Sequence, residues 1–155
     1  MDRSIFNAFE QALGKQNVLA GAADCIAYGF DNSSYRQNPA MVLLPTCTQQ
    51  VLDAVKLARQ FKLPLTARGR GTNTTGASVP VANGIVISFE RMNQILRIAP
   101  DDRIAVVQPG VLNGDLQNAL AAFALFWPPD PTSSPYCSIG GNIACNAGGP
   151  RAVKY

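Results

Sequence analysis

The first regular pattern along the chain is helical. Between Ser4 and Leu13 the apolar residues recur every three or four positions, and Gly14 follows as a stop signal. This spacing predicts a short amphipathic helix. Residues 15–38 show no period, so we expect a surface segment there.

Residues 39–90 carry the pattern of a βαβ unit. The apolar run Met41–Leu44 lies between two prolines and predicts a short buried strand. Apolar residues recur at helical spacing from Val51 to Phe61, and a second strand is predicted at Leu63–Ala67. Strand, helix and strand in this order imply a parallel pair with a right-handed crossover. Gly84–Phe89 predicts a third strand.

After residue 90 the pattern favours antiparallel strands and a helix. Ile95–Ala99 and Arg103–Gln108 flank a Pro-Asp-Asp turn and predict a hairpin. Leu112–Phe123 has a helical apolar stripe. Trp127–Tyr136 contains four prolines, so no regular element is expected in it.

Two segments, 69–76 and 140–149, hold seven of the thirteen glycines. The first leaves a predicted strand at its carboxyl end, where α/β folds place ligands, and its backbone amides can form an anion site. A triphosphate-binding loop would need a lysine where Ala77 stands, and Thr74 breaks the dinucleotide fingerprint. We therefore predict a phosphate site built from loop amides and hydroxyls.

The composition excludes some function classes. Between Ile104 and Pro150 the only charged side chains are Asp115 and Asp130, so this half is expected to face a cofactor, another domain or a partner. An ordinary neutral surface is the alternative. The net charge of +3 comes from scattered residues, which argues against nucleic acid. No membrane span and no signal peptide are predicted, so we expect a cytoplasmic protein.

The residues that usually carry catalysis are few. There is no histidine, and the four cysteines form no CxxC pair, so no metal site is expected and the thiols are interpreted as reduced. No catalytic residue can be assigned within the chain.

Several motifs, in a fixed order, resemble the FAD-binding domain of the vanillyl-alcohol oxidase (PCMH) type. They are Arg68–Thr72, Pro109–Val111, Pro128–Ser133, Cys137–Asn142 and Asn146–Gly149. Within this superfamily the chain is similar to glycolate oxidase GlcD-type subunits and FAD-linked D-lactate dehydrogenases. The resemblance covers nearly the whole chain.

The resemblance implies an α+β fold with FAD lying between two subdomains. Residues 1–38 would form the N-terminal helix and surface segment, 39–90 a small parallel βαβ subdomain with the phosphate loop, and 91–155 the start of a second subdomain of antiparallel strands with helices. The domain is expected to be incomplete at its C-terminus, with the substrate-binding cap domain absent.

The resemblance also implies which residues contact the cofactor. The first segment would wrap the pyrophosphate, Pro109 and Gly110 would shape a strand end beneath it, and the small residues of the later segments would approach the flavin. The implied cofactor-binding residues are Arg68, Gly69, Arg70, Gly71, Thr72, Asn73, Thr74, Gly76, Ala77, Ser78, Pro109, Gly110, Pro129, Asp130, Pro131, Ser134, Cys137, Ser138, Ile139, Gly140, Gly141, Asn142, Ala144, Asn146 and Ala147.

The implied activity is oxidation of a small 2-hydroxy acid, glycolate or D-lactate, by hydride transfer to flavin N5. FAD would be bound non-covalently, because Thr72 stands where covalent members have a histidine. An electron acceptor or partner subunit would complete the reaction. Residues 1–155 alone are expected to be inactive, with the catalytic groups beyond Tyr155. The alternatives are a truncated flavin- or nucleotide-binding module and an interaction remnant of such an enzyme.

Overall fold

The chain folds into two compact units, Met1–Arg91 and Met92–Tyr155. The structure, a computed structural model, describes residues 2–155. The first unit contains a four-stranded sheet and the second a two-stranded sheet, each accompanied by helices. The predicted α+β class is therefore confirmed. Within residues 2–155 no helix has both the length and the apolar content to cross a bilayer.

The first unit begins with the predicted amphipathic helix. Asp2 caps it by accepting the N–H of Ser4 at 2.9 Å, and Gly14 ends it at φ +90°. The regular elements of this unit are, in order, α1 (Arg3–Leu13), β1 (Val18–Leu19), α2 (Ala22–Cys25), β2 (Met41–Leu43), α3 (Thr48–Gln60), β3 (Leu65–Arg68) and β4 (Ile85–Ser88).

The strand order in this sheet is β1-β2-β4-β3. Strands β2 and β3 are parallel and are joined by α3, as the βαβ pattern predicts, but they do not pair with each other. Strand β4 lies between them and pairs in parallel with both. The expectation of a directly paired β2 and β3 is thus wrong. Because every residue of β4 is buried, the central position suits it best.

Both faces of this sheet are covered by apolar side chains. Met41 and Leu43 lie on the face that packs against α1 and α3, together with Phe9 and Ala54. Val42, between them in the strand, lies on the other face with Cys25, Leu44 and Val86. Successive side chains of β2 therefore pack into two apolar clusters on opposite faces of the sheet, which explains why the strand is a continuous apolar run.

The expectation that residues 15–38 form only a surface segment is wrong. This stretch contains β1, which pairs antiparallel with β2, and the short helix α2. Val18, Cys25 and Asp31 are buried. The elements are too short to produce a readable period, so only their packing against the sheet identifies them.

The second unit contains β5 (Ile95–Ala99), β6 (Ile104–Val107), α4 (Asn113–Ala121) and α5 (Ile139–Ala144). The predicted hairpin is confirmed, since β5 and β6 pair antiparallel with an irregularity between Ile95 and Arg97. No helix or strand lies within residues 127–136. The unit's core consists of Val111, Leu116, Leu120 and Ile139, with the inward side chains of the hairpin packed against them.

Candidate cofactor-binding segments

The loop of residues 69–78, called the phosphate loop below, leaves β3 at the carboxyl edge of the parallel strands. Its residues Gly71 and Gly76 adopt φ +66° and +78°, in the left-handed region that glycine tolerates best. Within residues 2–155, no protein acceptor is found for the backbone N–H groups of residues 69–74. A run of free amides in a glycine-rich turn fits an anion such as a pyrophosphate.

The Asn73 side chain holds this loop together from within. Its Oδ1 accepts the N–H and the hydroxyl of Thr75, both at 3.2 Å, and the N–H of Ala77 at 3.3 Å. Its Nδ2 donates to the Ser78 hydroxyl at 2.7 Å. The amide therefore fixes the second half of the loop, and the free amides lie in the first half.

Arg68 is engaged beneath the loop, in the body of the first unit. Its Nη1 donates to the carbonyl of Phe30 at 2.7 Å and its Nη2 to the carbonyl of Ala27 at 3.2 Å. The guanidinium carbon lies 5.9 Å from the centroid of the Tyr28 ring, and the residue is only 8% exposed. A Cβ at Gly71 would overlap this guanidinium. Arg70, by contrast, is exposed.

Charged and phenolic groups surround Arg68. The Tyr28 hydroxyl donates to Glu90 Oε1 at 3.0 Å, and Ser88 donates to Glu90 Oε2 at 3.2 Å. Burial, together with the Glu90 charge, raises the pKa of Tyr28 to about 12. Burial also lowers the pKa of Arg68, while nearby Asp31 opposes that shift.

Asp31 is a residue of this site that sequence reasoning missed. Its side chain is buried, and Oδ1 accepts the N–H of Ser33 at 2.8 Å. Burial by itself would raise the pKa of Asp31, but hydrogen bonds from Ser33 and Ser78 and the charge of Arg68 outweigh it, so the pKa lies below its usual value. The available signal was an aspartate two residues before a serine, which is typical of an Asx turn.

In the second unit a buried amide pair links three segments. Asn113, fully buried at the start of α4, donates through Nδ2 to the Pro129 carbonyl and to Asn142 Oδ1, both at 3.0 Å. Its backbone N–H donates to the carbonyl of Cys137 at 2.8 Å. Asn142 Nδ2 in turn donates to Cys137 Sγ at 3.2 Å. Asn113 therefore positions three residues implied by the resemblance, yet it was not among them.

The start of α5 packs closely against the turn after β6. The Gly140 N–H donates to the Pro109 carbonyl at 2.9 Å, and a Cβ at Gly140 would lie 2.8 Å from Pro109 Cβ. Ser138 caps the helix by accepting the Gly141 N–H at 3.2 Å. Gly110 donates to the Met92 carbonyl at 2.7 Å. The structure thus brings these predicted residues together.

The proline-rich segment is tied to the end of the chain at Asp130. The Asp130 N–H donates to the Gly148 carbonyl at 2.8 Å, and Oδ2 lies 3.5 Å from Arg151 Nε. Gly149, at φ +108°, leaves no room for a Cβ beside the Asp130 carbonyl. Asp130 is therefore held by an ion pair and a backbone hydrogen bond.

The remaining predicted residues lie around this segment, at the end of α5 and just after it. The Ser134 N–H donates to the Pro131 carbonyl at 2.8 Å, and the Ser134 carbonyl accepts the N–H of Gly114. Ala144 and Asn146 are exposed, and the Ala147 N–H donates to the Asn142 carbonyl at 2.8 Å.

The residues implied by the resemblance fall into one group in each unit. Arg68 to Ser78 belong to the first unit, and Pro109 to Ala147 to the second. Their contacts with a cofactor stay a prediction. Among residues 2–155, no three histidine, cysteine or acidic side chains lie together as a potential metal site.

The chain is similar to a known domain family and to several known proteins. The family described as FAD binding domain matches residues 39–155. The glycolate oxidase subunit GlcD of Bacillus subtilis (strain 168) is 37% identical over 146 residues, which are 94% of this chain and 31% of that protein. The D-2-hydroxyglutarate dehydrogenase of Stutzerimonas stutzeri (strain A1501) is 34% identical over 155 residues, 99% of this chain and 33% of the relative. The chain thus spans about a third of the length of these relatives.

Solved structures agree on the fold. An alkyldihydroxyacetonephosphate synthase superposes with a TM-score of 0.90 over 100% of this chain and 31% of its own, at 22% identity. A p-cresol methylhydroxylase superposes with a TM-score of 0.75 over 92% of this chain and 30% of its own, at 24% identity. At this identity the likeness shows the fold alone. The chain belongs to the FAD-binding domain family of the PCMH (vanillyl-alcohol oxidase) superfamily, and its cofactor is FAD.

Proposed function

We propose that this chain is the FAD-binding portion of an oxidoreductase that oxidises a small 2-hydroxy acid, glycolate or D-lactate. Similarity to a glycolate oxidase subunit and to a D-lactate dehydrogenase, the latter 38% identical over 120 residues, supports this substrate class. The single observation in the structure that carries the proposal is the run of free amides in the phosphate loop.

The phosphate loop would hold the pyrophosphate of FAD through the amides of residues 69–74. Exposed Arg70 would add positive charge at the loop, whereas buried Arg68 would act by fixing the loop's base. FAD supplies a hydride acceptor when it is bound. In the second unit, Pro129, Ser138 and Asn142 and their small neighbours would orient the ring and exclude water. With Thr72 in the loop, we propose that the bound flavin is non-covalent.

We expect FAD to raise the apparent melting temperature of the chain more than FMN or ATP does. FMN lacks the pyrophosphate, and ATP meets a loop without the lysine of triphosphate-binding loops. At a ligand concentration of 100 times Kd, mass action stabilises the folded state by about 2.7 kcal/mol. Thermal denaturation with each ligand measures this effect. Equal shifts with all three ligands, or no shift with FAD, would contradict the assignment of the loop.

We also expect the flavin-loaded chain of 155 residues to show no bleaching of its visible spectrum by glycolate or D-lactate. The chain contains no histidine, and the buried carboxylate of Asp31 is already engaged by Ser33 and Ser78. Anaerobic spectra before and after addition of each acid test this expectation. Bleaching would show that residues 1–155 contain a complete catalytic site. The proposed oxidoreductase would also need an electron acceptor or a partner subunit.

A further inference from the structure

We propose that Asp31 is a positioning residue that holds the phosphate loop in the shape that receives the pyrophosphate. This inference rests on the proposed function of the loop. It concerns the segment Ala27–Tyr35, called the brace below, which lies against the loop within the first unit. Four sets of contacts join the brace to the loop or its base.

The first set runs from the Asp31 carboxylate into the loop. Oδ2 accepts the Ser78 hydroxyl at 3.5 Å, a long hydrogen bond. The Ser78 hydroxyl accepts Asn73 Nδ2 at 2.7 Å. Because Asn73 Oδ1 in turn fixes Thr75 and Ala77, the carboxylate is the buried end of a relay that sets the loop's second half.

The second set orients the first half of the loop. The Asn32 N–H donates to the Asn73 carbonyl at 3.0 Å, and Asn32 Nδ2 donates to the Thr72 carbonyl at 3.3 Å. In a trans peptide the carbonyl of one residue and the N–H of the next point in opposite directions. With these two carbonyls turned toward the brace, the N–H groups of Asn73 and Thr74 are directed away from it.

The last two sets secure the brace and the loop's edge. Arg68 binds the carbonyls of Ala27 and Phe30, and the Tyr35 ring lies where a Cβ at Gly76 would stand, with Cδ2 only 2.7 Å from that position. Asp31 is 3% exposed at the centre of these contacts. Its Oδ1 fixes the turn of the brace through the Ser33 N–H, so one carboxylate couples the brace to the loop.

The charge of Asp31 allows a positioning role of this residue in FAD binding to be distinguished from an electrostatic role. The carboxylate is ionised at neutral pH, because its hydrogen bonds and Arg68 hold its pKa below the usual value despite burial. An anion beneath a phosphate site repels the ligand. A purely electrostatic role therefore predicts that removing the charge strengthens FAD binding, whereas a positioning role predicts that it weakens binding.

The test is Asp31→Asn, with affinities measured for FAD, ADP and riboflavin. Asparagine keeps the volume and the acceptor for the Ser33 N–H, but its amide nitrogen at the second position cannot accept the Ser78 hydroxyl. We expect the Kd values of FAD and ADP, which carry a pyrophosphate, to rise about tenfold, a loss of the size of one hydrogen bond. The Kd of riboflavin should stay unchanged. Asp24→Asn is the matched control, since Asp24 is an exposed carboxylate of the same unit.

Hydrogen exchange without ligand gives a second readout. The amides of Thr75 and Ala77, both bound to Asn73 Oδ1, should exchange faster in Asp31→Asn, with β2–β4 protection unchanged. Unaltered or tighter FAD binding together with unaltered loop exchange would overturn the inference, as would equal weakening of all three ligands. Failure of the unsubstituted chain to bind FAD would instead reject the proposed function, and loop exchange would still decide whether Asp31 orders the loop.

Should Asp31→Asn fail to fold, Asn32→Ala tests the brace from a second residue. Asn32 is exposed, and the change removes only its Nδ2 contact with the Thr72 carbonyl. We expect a smaller loss in the same direction, about two- to threefold in Kd for FAD and ADP and none for riboflavin. No selective loss with this variant would overturn the inference.

Discussion

Replacing Gly71 by alanine should weaken FAD binding by about 100-fold, equivalent to about 2.8 kcal/mol. Gly71 has φ +66°, where an L-residue costs roughly 1–2 kcal/mol. The new Cβ would also overlap the Arg68 guanidinium, which is bound to the carbonyls of Ala27 and Phe30. To relieve this overlap, either the loop or the Arg68 side chain must move. If Arg68 moves, its buried charged hydrogen bonds are disturbed, which costs about 1–3 kcal/mol more.

Isothermal titration calorimetry measures the loss of FAD affinity directly. The melting temperature of the unliganded variant measures how much the substitution strains the folded chain. Gly114→Ala is a suitable control, because a Cβ there meets Pro135 only at ordinary contact distances of 3.5 Å and more. Alanine in this helix should leave stability unchanged or raise it by about 0.5–1 kcal/mol. FAD affinity and stability of Gly71→Ala equal to those of the unsubstituted chain would refute the account of the loop.

The change Asn113→Ala should destabilise the second unit by about 2–4 kcal/mol. Asn113 is fully buried, and its Nδ2 serves both the Pro129 carbonyl and Asn142 Oδ1. Alanine leaves both acceptors without a donor, and a buried unsatisfied group costs about 1–3 kcal/mol. We also expect weaker flavin binding, because the proline-rich segment and α5 lose their common hydrogen-bond donor.

Urea unfolding followed by tryptophan fluorescence measures this effect where it occurs. Trp127 is the only tryptophan of the chain, and it packs against the core of the second unit. Its backbone also exchanges hydrogen bonds with the Gln117 side chain of α4. The control is Asn118→Ala, an exposed position of the same helix, which should be neutral or slightly stabilising. Equal midpoints for the two variants would show that Asn113 contributes no specific stability.

Local pattern predicted most of the elements because their periods are long enough to read. The apolar run at residues 41–44, the amphipathic helix before Gly14 and the hairpin around Pro100 are all found close to their predicted bounds. The position of β4 between β2 and β3 was not predictable in this way. Strand order depends on which strand buries both faces, and that is a property of the assembled sheet.

The candidate site likewise has some features that the sequence predicted and others that only the structure shows. The phosphate loop could be identified from its glycines and from the strand before it, and the family from motifs far apart in the chain. The roles of Asp31 and Asn113 could not, since each depends on partners such as Ser78 and Asn142 that lie 47 and 29 residues away. The direction of the Arg68 side chain, toward the brace instead of the loop's open side, was also invisible in the sequence.

The sequence by itself determined the class of fold, the glycine-rich segments and the family to which the chain belongs. The first two depend on residue type and short spacing, which act locally through backbone freedom and alternation of apolar side chains, and the family depends on the order of motifs along the chain. The tertiary structure alone decided which polar groups are used up inside the protein and which amides stay free. Hydrogen bonding of buried groups is satisfied between distant segments, so only the folded structure shows that the amides of residues 69–74 stay free.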